Sequence, residues 1–345
     1  MKIAWPVSGD GTLISPTLAS VPAGVARADL FAPIAADLAQ VERLLDETLA
    51  SARPGVGRLV AHLSHYRGKR LRPALLLLVA RACGRVVPAH HILAAVVEMI
   101  HTATLVHDDV LDGASVRRHV PTVNAGWGNQ SSILLGDYLF THAFHLCSSV
   151  DARACRLIGD ATNRLCAGEL HQITERGNLD LSEDDYFAII DAKTAELTSC
   201  AARLGALYSG MAEGAVERLA RYGRLIGQAF QIADDLLDLV GEERATGKSL
   251  GTDVEQQKLT LPLIHLLARG PTDVASRVRS ILHSPDNHKR EQLGPDLSRH
   301  GALAYARRRA EDLAARAAAE LACLPASASR AILESLAERV VHRDA

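Results

Sequence analysis

At 345 residues, 48% apolar and 23% charged, the chain is long enough for one large domain or two average ones around a sizeable core. A net charge of −2 excludes a general attraction to nucleic acid or to anionic membrane surfaces. The six cysteines (Cys83, Cys147, Cys155, Cys166, Cys200, Cys323) form no C-x-x-C pair, which argues against a zinc site or disulfide framework and for reduced thiols in a cytoplasmic protein.

Residues 1–27, rich in Gly, Pro and Ser, read as a loosely ordered lead-in without the continuous apolar core of a signal peptide. Residues 28–345 read as a single all-α domain. From Phe31, IAADLAQVERLLDETLA spaces its apolar residues by three and four, as a helix requires. Pro54 and Gly55 interrupt it, and VGRLVAHLSHY resumes as a second helix. After Gly68-Lys69-Arg70-Leu71-Arg72-Pro73 comes ALLLLVARACG, a strongly apolar helix ending near Gly84. The segment from about His90 to Asp112 is apolar almost throughout, which predicts a buried central helix. No stretch reaches the eighteen or so uncharged apolar residues of a membrane span.

Another helix begins after Gly128, a further one covers about 151–173, and DDYFAIIDAKTAELTSCAARLGALYSG is helical in period. The segment 213–240 is helical, residues 240–257 form a polar loop, and LTLPLIHLLARG restarts a helix. The Ala-, Arg- and Glu-rich remainder reads as two or three amphipathic helices, with the charges of ARRRAEDLAARAAAE facing water. No strand alternation of convincing length appears, so the fold class is all-α.

Two helices end in the pattern D-D-x-x-D: Asp108, Asp109 and Asp112 in one, Asp234, Asp235 and Asp238 in the other. Residues four apart share a helix face, so like charges stack and repel. One such triplet is ordinary surface charge. Two, each closing an apolar segment where unpaired carboxylates are costly, indicate a site for a hard divalent cation such as magnesium. Basic residues accompany them in order: Lys69, Arg70 and Arg72, then Arg117 and Arg118, then Lys193, Lys248 and Lys258. Each group has a plain alternative, as a neutralising neighbour or a solvated turn. Carboxylates with surrounding bases together point to a multiply charged anion bridged to protein by metal.

The ordered series GKRLRP, HTATLVHDDVLDGASVRR, KTAEL, FQIADDLLD and GKSLGTDVEQQKLTLP resembles the trans-isoprenyl (polyprenyl) diphosphate synthase family, most of all its long-chain members of octaprenyl, heptaprenyl or nonaprenyl type. The resemblance implies the isoprenoid synthase fold, a large antiparallel helix bundle around a central cavity with the two aspartate clusters facing across its mouth. It implies a prenyltransferase that joins isopentenyl diphosphate to an allylic diphosphate, farnesyl or geranylgeranyl. Asp108, Asp112, Asp234 and Asp238 would hold magnesium, three ions per site, with Asp109 and Asp235 supporting. Arg117, Lys193 and Lys258 would hold the allylic diphosphate, and Lys69, Arg72, His101 and Arg118 the isopentenyl diphosphate. Thr194, Gln231 and Lys248 match further substrate-side positions. The catalytic set would be Asp108, Asp112, Asp234, Lys193 and Lys258, working in a homodimer, with peripheral membrane contact for product release and no nucleic acid. Two positions depart from the family pattern, Arg67 and Gln257, each standing where glycine is usual.

Ala103 and Thr104 lie one turn before Asp108, about 6–8 Å along the helix, where short-chain family members tend to carry bulky aromatics. With Ile100 and Met99 on the next turn they are the chain-length candidates, and their small size leaves the cavity open for a long product. The alternative is that a small residue there only allows close helix packing. A short-chain (farnesyl or geranylgeranyl) synthase and a non-catalytic subunit of a heteromer are the rival readings, although such subunits usually lose aspartates and here all six remain.

Overall fold

The computed structural model of the chain describes residues 30–64, 68–241, 250–285 and 288–341. Helices α1 (Ala35–Leu49) and α2 (Pro54–Leu63) lead into α3 (Leu71–Ala82) and α4 (Pro88–Leu111). A two-residue hairpin of β1 (Val116–Arg117) and β2 (Val120–Pro121) precedes α5 (Val123–Ser148). There follow α6 (Ala152–Thr174), α7 (Glu183–Ile190), a π-turn over Asp191–Ala195, α8 (Glu196–Tyr208) and α9 (Glu213–Val240). A single turn, α10 (Thr252–Glu255), then α11 (Leu261–Arg269), α12 (Thr272–His283), α13 (Lys289–Arg299), α14 (Ala302–Glu320) and α15 (Ala328–Val341) complete it. The expected all-α architecture is the observed one.

Burial explains which helices are central. In α3 every residue from Pro73 to Ala80 is buried, and in α4 every residue from Leu93 to Ile100. Each of Leu76, Leu77 and Leu78 removes enough apolar surface to contribute about 1.5–3 kcal/mol. One hydrophobic cluster runs from Ile34 to Val340, and a small satellite cluster gathers Leu63, Ala103, Val106, Val123, Leu135 and Leu139 between α2, α4 and α5. Helix α4 packs most extensively on α5, α9 on α8 and α14, and α3 on α8.

Three sequence expectations need adjustment. Among the described residues, the remainder after Gly270 holds four helices, α12 to α15, and not two or three. By length and composition Pro88–Leu111 does qualify as a possible membrane span, with a window of mean hydropathy 1.3. Its apolarity is that of a central bundle helix, since its faces meet α3, α5 and α8. Helix α5 also begins earlier than Gly128: Thr122 caps it by accepting the Ala125 N–H at 3.4 Å, and Gly128, at φ 81° and ψ 162°, marks a kink.

Candidate active site

The six aspartates divide into two sets of three. Asp109, Asp235 and Asp238 are buried, and each is spent on local structure. Arg117 Nε donates to Asp109 Oδ1 at 2.8 Å. Tyr186 Oη and Gln231 Nε2 donate to the two oxygens of Asp235 at 2.6 and 2.8 Å. Asp238 accepts from Thr252 Oγ1 and from the Asp253 N–H, both at 3.1 Å, and so anchors the turn that opens α10. Asp108, Asp112 and Asp234 are only partly buried. Burial, reinforced by Glu169 and Asp112, pushes the Asp108 carboxyl up to about 6, with Lys193 and Arg117 opposing. Burial likewise pushes Asp235 up to about 8, with Asp253 adding to it.

Lys193 and Thr194 reach this site because the backbone is widened into a π-turn where they sit. The π-turn carries an extra residue in one turn, a feature common at functional sites, and two glycines make room for it. A Cβ on Gly168 of α6 would lie 2.6 Å from Ala192 Cβ and 2.8 Å from the Lys193 nitrogen; one on Gly227 of α9 would lie 2.5 Å from Ala195 Cα. Arg224 then clamps both ends by bonding Asp191, and Glu196 at 2.6 Å, while Gln228 donates to Asp191 at 2.8 Å. Held this way, Lys193 Nζ pairs with Glu169 at 2.7 Å and donates to Gln172 Oε1 at 2.8 Å. Thr194 Oγ1 donates to Gln231 Oε1 at 2.8 Å. Burial alone would lower the Lys193 pKa, but Asp108, Glu169 and Asp112 outweigh it and raise it. Lys193, Thr194, Gln231 and Lys258 line one cleft with Gln172, Tyr186 and Asp235.

Asp112 is tied to the cleft through Lys258. Its Oδ1 accepts from Lys258 Nζ and from Arg176 Nη2, both at 3.1 Å, and its carbonyl from Gln256 Nε2 at 3.1 Å.

A second, basic region adjoins the first through α4 and the hairpin. Arg70 is fixed between Glu42 and Glu98, each 2.6 Å away. Burial pushes the Arg72 and Arg118 guanidiniums down, with Arg117 and Arg70 adding to it at Arg118 and Glu98 opposing at both. Arg72 Nε is buried without a hydrogen-bond partner. Burial first, and then Arg72, Arg118, Arg117 and Arg70, drive His101 far below its ordinary value, so it is a neutral imidazole at pH 7. Lys69 is exposed at the rim. Gly68 lies flat against the Arg118 guanidinium, whose Nη2 is 2.5 Å from where a Cβ would stand. Lys248 and Arg67 lie outside the described residues.

Among the described residues, four other than glycine have positive φ: Arg70 (51°), Arg118 (53°), His119 (65°) and Gln257 (58°). All four stand in or beside these charged groups. Arg118 and His119 are the two central residues of the β1–β2 hairpin, where a primed turn demands φ above zero at both positions. Gln257 occupies a position where the related sequences usually have glycine, and its left-handed backbone supplies the reason for that preference.

The chain-length candidates separate. Met99 and Ile100 belong to the main core and Ala103 to the satellite cluster against α5, all at most 1% exposed. Thr104 is partly exposed, shares a helix face with His101 and Asp108, and donates to the His101 carbonyl at 2.8 Å. Glu169, Gln172 and Arg176 were not singled out from sequence. The available signal was Glu169 and Gln172 three apart on one helix face, immediately after a glycine.

Among the described residues no three His, Cys, Asp or Glu side chains converge as a ready-made metal cage. The donor chemistry still fits magnesium. Asp108 and Asp112 present hard oxygens one turn apart, and Asp108 is costly to ionise until a cation arrives. An oxygen-rich anion such as a diphosphate would complete the coordination.

Comparison with known proteins identifies the family and the fold. The family model described as polyprenyl synthetase matches residues 54–294. The octaprenyl diphosphate synthase of Escherichia coli (strain K12) is 36% identical over 312 residues, covering 90% of this chain and 97% of that protein. The nonaprenyl diphosphate synthase of Mycobacterium tuberculosis is 38% identical over 333 residues, covering 95% and 99%. Among solved structures, a polyprenyl synthase from Caulobacter crescentus CB15, complexed with calcium and isoprenyl diphosphate, superposes with a TM-score of 0.87 at 36% identity, covering 93% of this chain and 98% of that one.

Proposed function

The chain belongs to the polyprenyl synthetase family, and we propose that it condenses isopentenyl diphosphate with an allylic diphosphate, repeatedly, to give a long all-trans polyprenyl diphosphate. One observation carries the reading: a carboxylate region and a crowded basic region share α4, with Arg117 acting on both Asp108 and His101.

The difficult step breaks the allylic C–O bond, leaving a carbocation and a pyrophosphate with added negative charge. Groups that meet that charge more strongly than the ground state lower the barrier. Lys193, Lys258, Thr194 and Gln231 line the cleft where the allylic diphosphate is proposed to lie, with Lys248 also assigned there. Arg117, whose Nε is engaged by Asp109, would also hold the allylic diphosphate. Magnesium, three ions per site, held by Asp108, Asp112 and Asp234, would supply charge neutralisation of the leaving group, while Asp238, buried and bonded to Thr252 and the Asp253 N–H, supports the site instead of ligating as the sequence suggested. Lys69, Arg72, Arg118 and His101 hold the isopentenyl diphosphate. As a neutral imidazole, His101 donates one N–H without adding a cation. The released pyrophosphate takes the proton lost after the double bond attacks, so no protein nucleophile is required.

The long product is supported by the named relatives and by the small Ala103 and Thr104 before Asp108. A homodimer is proposed because Trp127, Ile133, Leu134 and Phe144 leave the outer side of α5 apolar and exposed. A cytoplasmic setting accords with six cysteines that are all free, and peripheral membrane contact would receive an apolar product.

Radiolabelled isopentenyl diphosphate with farnesyl or geranylgeranyl diphosphate and magnesium tests the function. Products well beyond four isoprene units are expected. Chains that stop at three or four units would overturn the long-chain reading. Activity only after adding a second protein would make this chain one half of a heteromer. Light scattering of the purified protein tests the dimer.

A further inference from the structure

Arg176 follows directly on the last turn of α6, and nothing in the family pattern quoted above assigns it a role. Its Nη2 donates to Asp112 Oδ1 at 3.1 Å, the same oxygen that accepts Lys258 Nζ at 3.1 Å. Two nitrogens each 3.1 Å from one atom lie at most 6.2 Å apart (3.1 + 3.1). Two positive charges are thus gathered on one oxygen of one carboxylate, which answers only one of them.

The arrangement is preset. Gly177, at φ 80°, turns its N–H onto the Gln257 carbonyl at 2.9 Å, which ties the turn bearing Arg176 to the loop bearing Lys258. Gln256 fastens the same loop to the Asp112 carbonyl. Arg176 Nε is buried and has no hydrogen-bond partner. A guanidinium with one Nη engaged and Nε idle offers one edge of a planar fork, the geometry that suits phosphate oxygens.

We propose that Arg176 is a further diphosphate-binding residue, gripping the allylic substrate and the pyrophosphate it releases beside Lys258. The inference rests on the prenyltransferase reading above. Whenever Asp112 turns its oxygen toward a bound cation, Arg176 and Lys258 both need another anion. The diphosphate held by that same cation lies within reach of both. In the resting protein Asp112 holds the two side chains together, so they need no reordering when substrate arrives.

Calorimetric titration of inorganic pyrophosphate in excess magnesium, into wild type, Arg176→Ala and Arg176→Lys, tests this. Loss of a charge-assisted bond should weaken pyrophosphate binding about tenfold or more in Arg176→Ala. The KM for farnesyl diphosphate should rise by a similar factor while the KM for isopentenyl diphosphate stays within about twofold. Arg176→Lys, which keeps the charge but not the fork, should recover part of the loss; it also carries the test if the alanine variant does not fold. Unchanged pyrophosphate affinity together with tighter binding of magnesium alone would mean that Arg176 only neutralises Asp112, and the proposal fails. Wild-type protein that binds magnesium pyrophosphate but condenses nothing would instead overturn the prenyltransferase reading and leave the Arg176 comparison standing.

Discussion

The carboxylate region and the basic region of the mouth store charge in opposite ways. On the carboxylate side two of the three partly buried acids already face a cation: Lys193 for Asp108, and Lys258 with Arg176 for Asp112. On the basic side Arg72 and Arg118 crowd a histidine that burial and like charge hold neutral, and Arg72 keeps an idle Nε. The first region is built to accept a cation and an anion together. The second is built to accept a bare anion. Two diphosphates in one reaction are therefore held by different chemistry, and only one of them should depend on metal.

Removing a metal-side carboxylate gives the largest expected effect. Asp108→Asn should lower turnover roughly 10³-fold, the scale of losing a group that stabilises developing charge. A chelator should do the same to wild type, yet leave weak pyrophosphate binding at the basic side measurable by calorimetry. If chelation abolishes all diphosphate binding, the contrast between the two regions is broken.

Arg72→Ala should raise the KM for isopentenyl diphosphate by about 10- to 100-fold, as a buried charge-assisted contact predicts, with little change for the allylic substrate. Because burial disfavours the charged Arg72 guanidinium, its loss should leave the melting temperature unchanged or higher. A lowered melting temperature would mean that the basic side is a structural ion cluster.

Acidification sharpens the contrast next. Asp108 titrates near 6 when folded, above the usual aspartate value of about 3.9. The folded state therefore binds this proton more tightly than the unfolded state. Asp108 thus favours the metal-free fold below about pH 4, and that contribution is lost as pH rises to about 6. Magnesium affinity runs the other way and should weaken up to about tenfold per unit below pH 6. Thermal melts in chelator and magnesium titrations, each compared with Asp108→Asn, read both signs.

Gly227→Ala should cost about 1–3 kcal/mol, because its Cβ would collide with Ala195, and it should raise the allylic KM by displacing Lys193. The smallest effect is expected for Gln257→Gly. Relief of the left-handed backbone is nearly offset by the added freedom of glycine in the unfolded chain. A slightly raised melting temperature, by less than about 1 kcal/mol of stability, is the expected result.

The helices and both aspartate clusters are legible in the sequence because apolar periodicity and short acidic motifs are local signals. The division of labour inside D-D-x-x-D is not. Asp109 and Asp235 differ from Asp108 and Asp234 in the partners that reach them: Arg117 of the hairpin for the one, Tyr186 of α7 and Gln231, one turn earlier on α9, for the other. The π-turn is equally silent, since DAKTA continues the helical period and the reason for the extra residue lies in Gly168 and Gly227 on separate helices. Arg176 looks like any helix-end arginine until the fold sets it against a residue 64 positions earlier. The left-handed backbone at Arg70 and Arg118 falls on residues with no preference for it, so only the surrounding contacts impose it there.

The hydrogen-bonded series from Tyr186 through Asp235 and Gln231 to Thr194 links three elements: α7, α9 and the π-turn. Each member fixes the rotamer of the next, so substitutions along it should not add. Asp235→Asn would already release Gln231, after which Thr194→Val would have little left to remove. For anyone redesigning this site, those four positions are one unit of change: substituted singly they should fail, and replaced as a set they have a route to a new hydrogen-bond order.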